Sequence, residues 1–232
     1  ETLRPDQRKR VEKLTRYIIE TGLTKYNVGS VPPELPAGHR ILVVGQVEDD
    51  ASLLHGGGDI KTNAGLLEEA RKHNPDAVLV YKPHPDVEAN LRDGGNVENG
   101  IADITVVNVD AHAILNKVDA VWTMTSLLGF EALLRGVPVT TLGCPFYAGW
   151  GLTQDLARIP PRRRAQPDLA GLAHAALIDY PRYIYPPTGA PCPVEAAVAW
   201  LSSPNTPVPR GMKNRLLSKL QGLFASQRHL WR

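Results

Sequence analysis

The sequence predicts an α/β fold, a parallel sheet with flanking helices. Three observations carry that prediction. Five short apolar runs of strand character recur along the chain, helical patterns separate most of them, and each run is apolar throughout rather than alternating, as strands buried on both faces are. Strands joined in this way wind right-handedly, which gives a Rossmann-like domain over residues 40–155.

The elements follow in chain order. Residues 5–21 place Val11, Leu14, Ile18 and Ile19 at helical spacing, and Pro5 suits a first helical turn. The Pro- and Gly-rich linker "NVGSVPPELPAGHR" follows. The strand runs are 41–45 ("ILVVG"), 77–81 ("AVLVY"), 104–108 ("ITVVN"), 119–123 ("DAVWT") and 137–142 ("VPVTTL"), with helices over 60–73, 110–117 and 127–135. Residues 1–39 read as a helix and linker belonging to a reduced second lobe. Residues 156–232 read as a Pro-rich segment around one helix near 193–202, with basic helices that pack back on the domain or contact a membrane.

Composition narrows the function. In a chain of 232 residues, 43% apolar content is enough to bury a full core, and a formal net charge of +2 is too small to point to nucleic acid. Cys144 and Cys192 are the only cysteines and lack metal or disulfide-framework spacing, which fits a reducing, cytoplasmic setting. No signal peptide or membrane-spanning run is legible, and a first residue other than Met reads as a piece of something longer.

Parallel sheets bind ligands beyond the carboxyl ends of their strands. The loops 46–52, 82–86, 124–126 and 143–151 should therefore share one cleft. In "YKPHPD", Pro83 and Pro85 stiffen the backbone around Lys82 and His84, a cation and a ring donor suited to phosphate oxygens. Thr125 or Ser126 caps a helix whose first-turn N–H groups face the cleft, and Glu131, one turn in, can accept from ribose hydroxyls. Asp49 and Asp50, with Glu48 beside them, could bind a cation, cap the next segment or do covalent chemistry, and a carboxylate nucleophile would be served by a neutral orienter such as Gln46. Spacing alone does not choose. "HGGGD" (55–59) lacks the lysine and hydroxyl of a P-loop and reads as a hinge or lid. Tyr147 and Trp150 in "CPFYAGWG" offer stacking surfaces for a sugar or base.

The ordered set "KYNVG…QVEDDAS…YKPHPD…TSLLGFEALLRGVPV…GCPFYAGWGLTQD" closely resembles the capsule polysaccharide β-Kdo transferases of the KpsC type, across about residues 15–155. The resemblance implies a GT-B-like, retaining glycosyltransferase module that uses CMP-β-Kdo to build a poly-Kdo linker on lyso-phosphatidylglycerol. It also implies kinship with sialyltransferases whose "HP" motif, here His84 and Pro85, meets the CMP phosphate. The family's Gln-x-x-x-Asp element falls on Gln46 and Asp50. Asp50 is thereby implied as the nucleophile of a double displacement, with Asp49 as the fallback. His84 would neutralise the departing phosphate, Thr125 and Ser126 would form a second CMP-binding element, and Glu131 would hold the ribose; no metal or other cofactor is implied. The family carries two such modules in one chain, and this sequence holds one.

The tail "MKNRLLSKLQGLFASQRHLWR" sets leucines on one helical face and cations on the other, a pattern suited to the anionic inner face of a membrane or to docking on its own protein. The rival classes are a non-catalytic CMP-sugar-binding module and an HP-motif transferase that uses CMP-sialic acid.

Overall fold

The computed structural model describes residues 2–25, 29–89 and 100–203. Its central sheet has six parallel strands: β1 (Arg40–Val44), β2 (Val78–Lys82), β3 (Ile104–Thr105), β4 (Ala120–Thr123), β5 (Val139–Thr141) and β6 (Gln154–Asp155), in the order β3-β2-β1-β4-β5-β6. The order reverses between β1 and β4. That reversal opens the crevice where such sheets take ligands.

Strand side chains alternate between two cores. Leu42, Val44, Val80 and Val121 face α5 (Ala111–Leu115) and α6 (Leu127–Leu134), while Ile41, Val43, Leu79, Tyr81 and Trp122 face α2 (Ala51–Gly56) and α3 (Asn63–His73). Both faces are thus covered, the reason the strands are apolar throughout. Hydroxyl and carboxylate caps fix the helix starts: Thr62 accepts from Gly65 N–H, Asp110 from Ala113 N–H and Ser126 from Leu128 N–H. Gly136 ends α6 at φ +74°, a conformation that glycine adopts without a Cβ penalty.

Several elements differ from expectation. The runs at 104–108 and 137–142 pair over only two and three residues. The short helices α2 and α4 (Pro85–Glu88) and the edge strand β6 were not foreseen. Beyond the sheet come α7 (Leu169–His174), continued by a π-helical turn over Ala175–Asp179, then a hairpin of β7 (Tyr183–Tyr185) and β8 (Ala190–Cys192), then α8 (Val194–Leu201).

The N-terminal helix α1 (Pro5–Glu20) packs against α7 and α8. Leu14 is buried with Val194 and Val198, and Val11 lies in the same core as Leu172 and Ala173. Arg10 forms a two-point pair with Glu195 at 2.7 and 3.0 Å, and Arg8 meets Asp168 at 2.6 Å. The first and last described helices therefore form one helical layer beside the sheet. The amphipathic pattern at 212–232 lies outside the described residues.

Candidate functional site

The site starts where β1 and β4 end. Asn63, 1% exposed, pins the backbone of Gln46 on both sides, accepting from its N–H and donating to its C=O, each at 2.8 Å. The Gln46 side chain then crosses to β4. Its Oε1 accepts from the Thr125 N–H at 2.7 Å and the Thr123 hydroxyl at 3.3 Å, while Nε2 donates to Thr125 Oγ1 at 2.9 Å. Gln46 thus positions the Thr125–Ser126 turn rather than orienting Asp50.

The three acids of "EDD" separate. Glu48 accepts the Asn63 N–H at 2.7 Å, at the start of α3, and Asp50 caps α2 through the Ser52 N–H at 2.8 Å. Asp49 is exposed. Among the described residues no group of three His, Cys, Asp or Glu side chains could hold a metal ion.

Lys82 closes β2 and is 6% exposed; its ammonium lies 3.4 Å from Glu88 Oε1, and the other Glu88 oxygen accepts the Asn108 N–H at 2.9 Å. Its charge is therefore matched from within the protein. His84 caps α4: Nδ1 accepts from the Asp86 N–H at 3.1 Å, which assigns the proton to Nε2. Burial is the main force on the ring and disfavours the imidazolium, aided by Lys25 and Lys82 and opposed by Asp86 and Asp50, so the His84 pKa falls below 6.5. At neutral pH the ring is an uncharged donor.

Ser126 begins α6, and the buried Glu131 sits one turn in. Glu131 Oε1 accepts the Lys25 N–H at 2.8 Å, and Arg135 donates to Leu23 C=O at 3.4 Å, so residues 23–25 cross the mouth as a strap. Burial raises the Glu131 pKa, against the pull of the Lys25 N–H and the Arg135 charge. One cleft is lined by Lys25, Lys82, His84, Pro85, Ser126 and Glu131 together with Thr24 and Leu128. Gln46, Thr125 and Asp50 are not among its lining residues; Gln46 is bonded to Thr125, the neighbour of the lining residue Ser126, and the Asp50 charge acts on His84.

The aromatic loop needs a correction. Tyr147 is fully buried, its ring packed against Phe130 and Phe146 and its hydroxyl donating to Ser126 C=O, so it cannot present a stacking face. Trp150 is half-buried, donates to Phe146 C=O at 2.6 Å and lies under the Arg163 guanidinium at 5.4 Å. Arg163 also donates to the carbonyls of Pro145 and Ala148, both at 2.6 Å, and so clamps the loop. The glycines of "HGGGD" have a packing reason in place of the expected hinge: a Cβ on Gly58 would stand 2.4 Å from Leu142 C=O, and Gly57 bridges to Gly143.

Sequence reasoning missed Thr24, Lys25, Asn63 and Glu88. Asn63 carried a legible signal, a polar residue on the apolar face of a helical pattern. Lys25 lay inside "KYNVG" with no local reason to join a cleft; Tyr26, Asn27 and Val28 lie outside the described residues.

Comparison with known proteins agrees with this architecture. The profile of the family described as "Capsule polysaccharide biosynthesis protein" matches residues 11–183. This chain belongs to that family. Among its relatives, the capsule polysaccharide modification protein LipA of Neisseria meningitidis serogroup B is 43% identical over 225 residues, covering 92% of this chain and 32% of LipA. The lipopolysaccharide-processing protein LpsZ of Rhizobium meliloti is 42% identical over 219 residues, covering 91% of this chain and 49% of LpsZ. Two solved structures of Thermosulfurimonas dismutans KpsC share the fold: the "beta Kdo 2,4 transferase" at TM-score 0.80 and 31% identity, and the "beta Kdo 2,7 transferase" at 0.73 and 37%. Each covers 87% of this chain, and the chain spans 64% and 62% of them respectively. The sequence thus spans about a third to a half of the curated relatives it matches and under two thirds of the two solved chains. Among its described residues no helix is long and apolar enough to cross a membrane.

Proposed function

We propose that this chain is the donor-binding module of a retaining, GT-B-like β-Kdo transferase that uses CMP-β-Kdo to extend the poly-Kdo linker of a capsular lipid anchor. The observation that carries the reading is the cleft itself: the His84 Nε2–H, the Ser126-capped start of α6 and Glu131 meet at the β1/β4 reversal, with the charge of Asp50 acting on the same histidine. Likeness to solved Kdo transferases supports the choice of sugar.

In this mechanism the donor phosphate lies between His84 and the α6 N-terminus, and Glu131 accepts from the ribose. The Asp50 carboxylate attacks the anomeric carbon; the bond to the phosphate oxygen breaks, and CMP leaves with the electron pair. His84 Nε2–H stabilises the charge that builds on the leaving phosphate, worth about 2–4 kcal/mol for a preorganised donor. An acceptor hydroxyl then attacks the anomeric carbon from the face CMP has left; the bond to Asp50 breaks with its electron pair returning to the carboxylate, the hydroxyl proton passes to solvent, and the original configuration is restored. The acceptor is a Kdo-bearing lyso-phosphatidylglycerol, met at the cytoplasmic face of the inner membrane. No metal or other cofactor is required, because CMP is a good leaving group.

Intact-protein mass spectrometry after incubation with CMP-Kdo generated in situ tests this. The expected result is a mass gain of one Kdo residue in the wild-type chain that disappears in Asp50→Asn. CMP binding by calorimetry without any adduct would sink the covalent step and leave a CMP-sugar-binding module.

A further inference from the structure

We propose that Lys25, carried on the strap 23–25, is the cation that meets the nucleotide phosphate of the donor. The assignment rests on the CMP-sugar reading above and adds a residue from outside the sheet. The cleft already holds the buried carboxyl of Glu131, and Asp50 bears on it, so an anionic donor entering it needs positive charge. Lys82, the obvious source, is buried against Glu88, whose second oxygen is held by Asn108 N–H. That arrangement fixes Lys82 as a structural charge matched in place.

Lys25 differs in position. It is exposed at the cleft mouth, with Thr24, His84, Ser126 and Glu131 among the other lining residues. Its backbone is anchored by the 2.8 Å bond from its N–H to Glu131, and the preceding Leu23 is held by Arg135, so the strap is fixed to α6 at two points. Lys25 lines the same cleft as His84 and Glu131, and its charge acts on both of them. A flexible cation on an anchored backbone can follow the phosphate as the donor settles, whereas neutral His84 and the α6 N–H groups supply directional donors. Charge comes from the strap and direction from the sheet edge.

Calorimetry with CMP and with cytidine, which lacks the phosphate, separates the possibilities. Lys25→Gln should weaken CMP by about tenfold or more, the scale of a charged hydrogen bond, and leave cytidine unchanged; Lys25→Arg should keep most of the CMP affinity. Equal losses for CMP and cytidine would overturn the assignment in favour of a strap-holding role, and unchanged CMP binding would overturn it outright. Failure of the wild-type chain to bind either compound would overturn the donor reading itself, and this assignment with it.

Discussion

The side-chain amide of Gln46 holds Thr125 at two points, accepting its backbone N–H at 2.7 Å and donating to its hydroxyl at 2.9 Å. These bonds tie the carboxyl ends of neighbouring strands β1 and β4 together at the reversal of strand order. One neutral side chain thus helps to set the α6 N-terminus relative to the Asp50 turn, together with the 3.3 Å bond from the Thr125 hydroxyl to Ser52 Oγ. Gln46→Ala removes this tie and the acceptor of the buried Thr123 hydroxyl. Loss of about 2–3 kcal/mol in urea unfolding is expected, on the scale of buried polar groups left unpaired, along with weaker CMP binding. A variant as stable as wild type would show that the tie positions nothing.

His84 should give a pH signature. Burial, the dominant cause, holds its folded pKa below 6.5, so the folded state binds fewer protons than the unfolded chain as acid is added. The resulting stability is present above 6.5 and is lost as pH falls through the folded value. Thermal melts should show wild type losing more stability between pH 7 and pH 5 than His84→Asn, which keeps a capping acceptor but cannot be protonated in this range. A CMP phosphate would stabilise the imidazolium, so the His84 ring resonances in NMR should titrate at higher pH with CMP bound. An unmoved titration would argue against phosphate contact.

Glu131 shifts in the opposite sense. Burial, its largest influence, raises the pKa above 4.5, so the stability linked to the protonated form is present at low pH and lost as pH rises through the folded value. Glu131→Gln keeps the acceptor for the Lys25 N–H without the buried charge. It should match wild type in acid and gain on it toward neutrality, whereas Glu131→Leu, which strands that N–H, should lose about 1–3 kcal/mol at either pH by denaturant melts. Parallel pH profiles for wild type and Glu131→Gln would contradict a buried ionising carboxyl.

The contrast between these residues and others explains what was legible in the sequence. The strand cores and the Ser126 cap are local signals, since an apolar run or a hydroxyl before a helix acts within a few residues. The edge strand β6 offered two polar residues and no pattern, and α2 buries only Leu53. His84, Ser126 and Glu131 could be assigned to one cleft because strand ends converge by topology. The strap could not, because Lys25 and Glu131 meet across 106 residues of chain. Nor could the matching of Lys82 by Glu88, which depends on α4 folding back immediately after β2. Tyr147 was misjudged for a related reason: an aromatic between a proline and glycines has the same composition whether its ring faces a ligand or the core.

Tyr147 also makes a sharp demand on α6. Its hydroxyl donates to the Ser126 carbonyl in the first turn, and Gly129 sits so close that an added Cβ would lie 2.2 Å from the hydroxyl oxygen and 2.8 Å from the ring carbon that carries it. Gly129 has no positive φ to justify it, so the close approach of the ring is what requires glycine there. Gly129→Ala should cost about 1–3 kcal/mol through overpacking, despite alanine's better helix propensity. Tyr147→Phe alone should cost about 1 kcal/mol for the lost hydrogen bond. In the double variant the nearest atom is gone while the ring contacts at 2.8 and 3.1 Å remain, so the combined loss should fall short of the sum of the two. Urea unfolding of the four proteins measures that coupling. Strict additivity would mean that α6 shifts away from the ring, and that the Ser126 turn is not held by Tyr147.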